Sequence, residues 1–269
     1  MKKILIISKN STLSKIFRKK SNLKNYDVFS HNELNQINFS KYSYLINFSF
    51  NPKLAQLKYN KKYDIDNSLS EQAKRNKIFY IFFSTRYVYS NKNILPYKET
   101  THRLYPSNNY GKNKLKIEKY LKKRLKNKLL IVRLSTILYF ELISKKKLFM
   151  NMLLNSLYKN NQIYFDISNN YYKDFITDNF FVKNLDSMIN KKLFGIYNLS
   201  SGVPIYPEEI AKNIIMGYGK GKIIFSRKQK PSFNVLLSNK KLVSKTQKVI
   251  SKSIILNYCK EIGTKLQYA

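Results

Sequence analysis

Five short runs rich in apolar residues constrain this chain more than any other feature. They are ILII at 4–7, YDVFS at 26–30, YLINFSF at 44–50, IFYIFFST at 78–85 and LLIVRLS at 129–135. Four to eight residues is the length of a strand, and near-continuous apolar character is what a strand covered on both faces requires. Between the last two runs, residues 109–126 place Leu115, Tyr120, Leu121 and Leu125 on one side of a helix. After the first run, Leu13, Ile16 and Phe17 recur at helical spacing. Strands alternating with helices predict an α/β chain with a doubly wound parallel sheet. The pattern loosens after residue 136. The expected division is a sheet-bearing core at 1–135, then a smaller substrate lobe at 136–269 interleaved with the last sheet elements.

Open sheets of this kind bind ligands beyond the carboxyl ends of their strands. Ser8, Asn47, Ser84 and Thr85 stand at such ends. The turn after the first strand is where a dinucleotide-binding fold normally carries glycines, which bend the backbone and let it approach a pyrophosphate. This chain has Ser8, Ser11 and Ser14 there, three apart, and its first glycine is Gly111. Composition offers a reason. With 7 glycines, no tryptophan and many Lys, Asn, Ile, Tyr and Phe residues, the sequence follows AT-rich codons. A single G-to-A change converts a glycine codon to a serine codon. Serine at the first position would cost about 1–2 kcal/mol in a left-handed conformation. At the second position its Cβ would crowd a pyrophosphate, so relief is expected from Ser11→Gly. Against this, serine hydroxyls can cap a helix and donate to phosphate oxygens.

The net charge of +36 suggests nucleic acid, but the lysines are spread along the whole chain and arginine, the usual reader of bases, is scarce. A solvated, lysine-coated surface is the preferred reading, and it would still attract anionic ligands. The single cysteine, Cys259, excludes an internal disulfide and suits a reducing cytoplasm. Lys2 and Lys3 precede four apolar residues, too few for a signal peptide, and no run reaches membrane-spanning length.

Tyr110 and Lys114, four apart on the predicted helix, share one face. An ammonium beside a phenol lowers its pKa and makes it an acid/base at neutral pH, and Thr85 could offer its hydroxyl to the same substrate oxygen. With 22 tyrosines in so lysine-rich a chain, about three or four Tyr-x-x-x-Lys pairs arise by chance. Context separates this one: a strand ending in Ser-Thr, Pro106 before, Gly111 after, then another strand. His31 and His102 lie far apart with no cysteine cluster, so no metal site is expected, and Asp166, Asp174 and Asp178 read as loop and capping residues. Gly217, Gly219 and Gly221 follow a helical pattern and read as a helix end and turn.

In order along the chain, "KILIISKNSTLSKIF", "YLINFSF", "FSTRYVYS", "PSNNYGKNKLKIE", "IVRLS", "YYKDFITDNFFVKNL" and "GIYNLSSGVPIYPEEIAKNI" resemble segments of the extended short-chain dehydrogenase/reductase family. The closest likeness is to sugar-nucleotide epimerases, dehydratases and dTDP-4-dehydrorhamnose reductase-like members. The resemblance implies a Rossmann-like fold, NAD or NADP as cofactor, a nucleotide-sugar substrate and a role in surface-polysaccharide synthesis, with a homodimer left open. It implies Tyr110 as acid/base, Lys114 as the residue that lowers its pKa and holds the nicotinamide ribose, and Thr85 as substrate-orienting. Ser8, Ser11, Thr12, Leu13 and Asn47 fall at cofactor positions. An NAD-type acid at the end of the second strand is missing, where Ser30-His31-Asn32 stands with Glu33 just beyond. Lys173 replaces a frequent arginine, and Arg86-Tyr87 replaces the Asp-Glu pair of a 4,6-dehydratase, which disfavours dehydration. Two alternatives remain: a member that has lost its cofactor and binds sugar nucleotides or serves structurally, and a lysine-rich nucleic-acid-binding protein.

Overall fold

The computed structural model describes residues 3–90, 92–101, 103–142, 148–167, 170–230 and 232–269, without the side chains of Ile167 and residues 228–230. All five apolar runs form strands: β1 (Ile4–Ile7), β2 (Tyr26–Phe29), β3 (Tyr44–Asn47), β4 (Phe79–Thr85) and β5 (Leu129–Leu134). They lie in one parallel sheet of order β2-β1-β3-β4-β5. Later in the chain, Gly195–Leu199 adds a sixth parallel strand beside β5. The fold is therefore a Rossmann-like α/β sheet.

Alternate residues of each strand feed different cores, as a two-residue period requires. Ile4, Ile6, Ile46, Ile81, Phe83, Leu130 and Val132 pack with Phe17 of α1 (Thr12–Lys20) on one side. Leu5, Ile7, Leu45, Tyr80, Phe82, Leu129 and Ile131 pack on the other. There they meet Leu69 and Ala73 of α3 (Ile65–Arg75), and Ile117, Leu121 and Leu125 of α4 (Asn109–Leu125). A four-residue helix, α2 (Lys53–Gln56), precedes these two. Each fully buried aliphatic side chain contributes about 1.5–3 kcal/mol, so β1, buried along its whole length, is an anchor rather than an edge.

Beyond β5 come β6 (Thr136–Leu138), α5 (Phe149–Asn160), β7 (Gln162–Ile167), β8 (Lys173–Thr177) and α6 (Asp178–Asn190). After the sixth sheet strand, β9, follow β10 (Pro204–Ile205), α7 (Pro207–Tyr218), β11 (Lys222–Lys230), α8 (Lys240–Thr246) and α9 (Lys252–Gln267). β10, β8 and β6 form a small sheet, and β11 pairs with β7 in parallel. Gly219 is the left-handed C-cap of α7, as the sequence suggested, and Gly217 lets α7 approach α9, where an added Cβ would lie 1.9 Å from the Lys260 carbonyl. Among the described residues, no helix is long and apolar enough to cross a membrane.

Candidate active site

The turn after β1 retains a glycine-like path without glycine. Ser8 has φ +99°, the only positive φ of the three serines. Its hydroxyl accepts from the Ser11 N–H at 3.3 Å, giving the strained residue a local hydrogen bond. Ser11 has an ordinary φ of −69° and is the N-cap of α1, accepting from the Ser14 N–H at 3.2 Å. The backbone strain thus sits at Ser8 rather than at Ser11. Ser14 is fully buried and its hydroxyl has no hydrogen-bond partner among the described residues.

Ser8, Ser11, Thr12 and Leu13 line a cleft of about 390 Å³ together with Ser30, His31, Ser49 and Phe50. A larger cleft of about 830 Å³ shares His31, Ser49 and Phe50 and continues past Tyr63, Asp64 and Asn67. The two lie along the carboxyl ends of the sheet, where the first-turn N–H groups of α1 favour an anion. Asn47 is buried behind them, donating to Asp66 Oδ1 at 2.7 Å and accepting from the Ser49 N–H at 2.8 Å. One expectation needs correction: an acid does stand at the end of β2. The turn from Ser30 to Glu33, closed by the Glu33 N–H on the Ser30 carbonyl at 3.1 Å, folds Glu33 back, so that its carboxylate accepts from the Ser30 N–H at 2.6 Å and pairs with Lys9 at 2.6 Å. The hydrogen bond and Lys9 hold its pKa below the usual carboxylate value.

Next to Phe50, which lines both clefts, α4 begins, and Asn108 caps it by accepting from the Gly111 N–H at 2.8 Å. This seats the first turn against the end of β4, where Thr85 draws the Tyr110 pKa down. Lys114 is buried, with Nζ donating to the Phe83 carbonyl at 2.8 Å. Its ammonium lies over the Phe50 and Phe82 rings at 4.4 and 4.6 Å. Phe50 also meets Tyr110 edge-on at 5.2 Å, and so touches both members of the pair. Burial pushes the Tyr110 phenol up to about 12, and Thr85 acts against it. Lys114 is itself pulled below its ordinary value by burial, while Asp66, Asp64 and Glu118 oppose the shift. The lysine therefore answers to carboxylates beneath it, with Phe50 packed against the tyrosine.

Sequence reasoning passed over the residues that support this corner. Glu118, one turn beyond Lys114, makes a buried bidentate contact with Arg133 of β5 (3.0 and 2.7 Å) and accepts from the Ser84 hydroxyl. Arg133 also donates to the Tyr89 hydroxyl at 2.9 Å, which donates to Asn198 of β9 at 2.9 Å. Asp66 accepts from Tyr80 at 2.6 Å as well as from Asn47, and burial raises it to about 6. The Tyr110–Lys114–Glu118 spacing was the available signal, since it puts an acid on the face that meets the arginine of IVRLS.

Asp174 and Asp178 do not form a joint site. Asp174 accepts from the Ser201 and Gly202 N–H groups at 2.8 and 3.0 Å, whereas Asp178 opens α6 and pairs with Lys20 at 2.5 Å. Among the described residues, no three His, Cys, Asp or Glu side chains could hold a metal, and His102 lies outside those residues. Exposed lysines coat helices on both faces of the sheet, Lys15 and Lys19 on α1 and Lys119, Lys122 and Lys123 on α4, rather than one face.

Residues 55–168 match the sequence model of the RmlD substrate binding domain. No curated protein matches the chain. Solved structures match it in fold over nearly its whole length. The dTDP-4-dehydrorhamnose reductase of Yersinia enterocolitica is 17% identical with a TM-score of 0.76, covering 98% of this chain and 100% of its own. The UDP-glucuronic acid 4-epimerase of Bacillus cereus, solved with NAD and a fluorinated UDP-glucuronic acid, is 15% identical with a TM-score of 0.75, covering 98% and 99%. The dTDP-4-dehydrorhamnose reductase of Bacillus anthracis, solved with NADP, is 17% identical with a TM-score of 0.71, covering 98% and 99%. By its central sequence match and by its fold from end to end, the chain resembles the extended short-chain dehydrogenase/reductase family.

Proposed function

We propose that the protein is an NAD(P)-dependent epimerase or keto-reductase acting at C4 of a nucleotide-activated sugar, with a place in surface-polysaccharide synthesis. The observation that carries this reading is the placement of Tyr110 and buried Lys114 one turn apart on α4, packed against the end of β4 where Thr85 stands. The names of the reductases and 4-epimerases that share the fold support it.

The cleft fits a dinucleotide at its phosphate end, because Ser8 adopts the backbone a glycine would and α1 presents its N-terminus there. Ser8, Ser11, Thr12 and Leu13 would hold the pyrophosphate, and Lys114 the nicotinamide ribose. Glu33 is placed to accept from a ribose hydroxyl once Lys9 yields. The nicotinamide supplies hydride transfer at the sugar carbon. Tyr110 exchanges the proton at the sugar oxygen, and Thr85 fixes that oxygen by hydrogen bonding. At a pKa of about 12 the tyrosine rests protonated, the form suited to donate when a ketone is reduced. Displacing Phe50 would bring Lys114 to bear on the phenol and favour the reverse direction.

Purified protein mixed with NADH or NADPH and a panel of 4-keto sugar nucleotides is expected to consume the cofactor, with Tyr110→Phe inactive. Equal behaviour of the wild type and the variant would overturn the assignment. A second reading, a member that binds sugar nucleotides without cofactor turnover, is favoured by one observation: Phe50 packs against both Tyr110 and Lys114.

A further inference from the structure

A second pocket of about 180 Å³ lies beside Tyr110. It is lined by Arg86, Tyr97, Lys173 and Ser232, with Tyr87, Tyr89, Phe233 and Val235. It reaches Tyr110 through its lining residues, because the Tyr87 ring meets Tyr110 edge-on at 5.9 Å and Arg86 acts on the Tyr110 phenol. Two cations face this space, and no acidic residue is among its described lining residues. Arg86 stacks on the Tyr87 ring at 4.7 Å and donates to its hydroxyl at 3.1 Å, while Lys173 lies over the Tyr171 ring at 4.7 Å. Neither makes a salt bridge among the described residues. Tyr97 is 1% exposed, lines the same pocket, and its hydroxyl has no hydrogen-bond partner among the described residues.

Two neighbouring cations taken out of water repel each other and lose hydration, a cost that an anion between them would remove. The molecule shows that cost: burial first, and Arg86 second, pull Lys173 down to about 8. A buried phenol hydroxyl without a partner is likewise a group awaiting an acceptor. All three want the same thing, a compact anion with several acceptor oxygens.

We propose that this pocket binds a carboxylate carried by the sugar ring, so that the substrate is a nucleotide-linked sugar acid, held by Arg86, Lys173 and the Tyr97 hydroxyl. This rests on the reading of Tyr110 as the acid/base for a nucleotide sugar. Position favours the sugar carboxylate over the diphosphate. Arg86 follows Thr85 directly in the chain, and Tyr87 of the pocket meets Tyr110, so its charges would lie near the carbon at which Tyr110 acts. In a hexuronate the carboxylate hangs from the carbon adjacent to C4, whereas the diphosphate is attached across the ring at C1. The guanidinium also offers the forked donor geometry that a carboxylate matches.

The test is calorimetric binding of UDP-glucuronate against UDP-glucose, and dTDP-glucuronate against dTDP-glucose, with UDP and dTDP as controls. Wild type is expected to prefer the acidic member of the pair it binds by about tenfold or more, the scale of one charge-assisted contact. Arg86→Gln and Lys173→Met should each reduce that preference to about twofold or less while leaving the affinity for UDP or dTDP unchanged. Equal affinity for acidic and neutral sugars would overturn the inference and leave the nucleotide-sugar reading standing. Loss of UDP or dTDP binding in the two variants would overturn it in favour of a diphosphate site. If none of these nucleotides binds, the nucleotide-sugar reading falls and the inference with it.

Discussion

Two glycine-dependent corners of the same sheet have met opposite fates. At the turn after β1, serines occupy all three positions, and the backbone tolerates them at the price of one strained residue, Ser8 at φ +99°. At the start of α4, Gly111 persists in a chain with only 7 glycines. The difference is space. A Cβ on Gly111 would lie 2.1 Å from the Tyr87 carbonyl oxygen and 2.9 Å from the Pro106 Cβ, with rigid backbone on one side. Ser11 meets no such wall, since its side chain caps α1. Conformational strain of about 1–2 kcal/mol can be absorbed by the fold, whereas an overlap with backbone that would displace the acid/base cannot.

The sharpest way to break this comparison is at the support of the intact corner. Glu118→Ala leaves Arg133 buried without its carboxylate, and should cost about 3–5 kcal/mol in urea unfolding. A loss under 1 kcal/mol would mean that the network does not hold α4 in place. Gly111→Ala should follow at about 2–3 kcal/mol, from overpacking against the Tyr87 carbonyl. The matching change at the other corner, Ser8→Gly, should instead stabilise by about 1 kcal/mol, giving the two corners opposite signs. Like signs would erase the distinction.

A pH experiment addresses the carboxylate that joins the corners. Burial holds Asp66 at about 6, above its ordinary 3.8, with Lys114 the largest opposing influence. A carboxyl raised on folding binds its proton more tightly in the native state, so it weakens the fold above about pH 6. That weakness is relieved as pH falls from 6 towards 4. Asp66→Asn should accordingly gain on wild type by about 1–2 kcal/mol at pH 8 and lose the advantage by pH 4. A difference that does not vary with pH would show that Asp66 does not titrate in this range.

How much of this the sequence disclosed depended on range. The strands were legible to within about three residues, because a buried parallel strand leaves an apolar run. The strand end at Thr85 and the helix that carries Tyr110 and Lys114 were legible from local pattern. What escaped notice was set by contacts distant in sequence. Glu33 returns to the cleft through a turn that no periodicity marks. Glu118 meets Arg133 across the helix–sheet interface, and Arg86 shares a pocket with Lys173, nearly ninety residues later. The interposition of Phe50 was likewise invisible, because nothing in "YLINFSF" says which aromatic ring will lie against Lys114.

The central claim is that the serine turn remains a dinucleotide site serving the Thr85–Tyr110 corner. Its most direct test is calorimetric titration of NADH and NADPH into wild type and Ser8→Gly. Relief of about 1 kcal/mol of strain at a turn that binds pyrophosphate corresponds to about a fivefold change in affinity. The account predicts weak but saturable binding of one cofactor by wild type, tightened about fivefold in the variant. Absence of binding by both proteins at millimolar cofactor would contradict it.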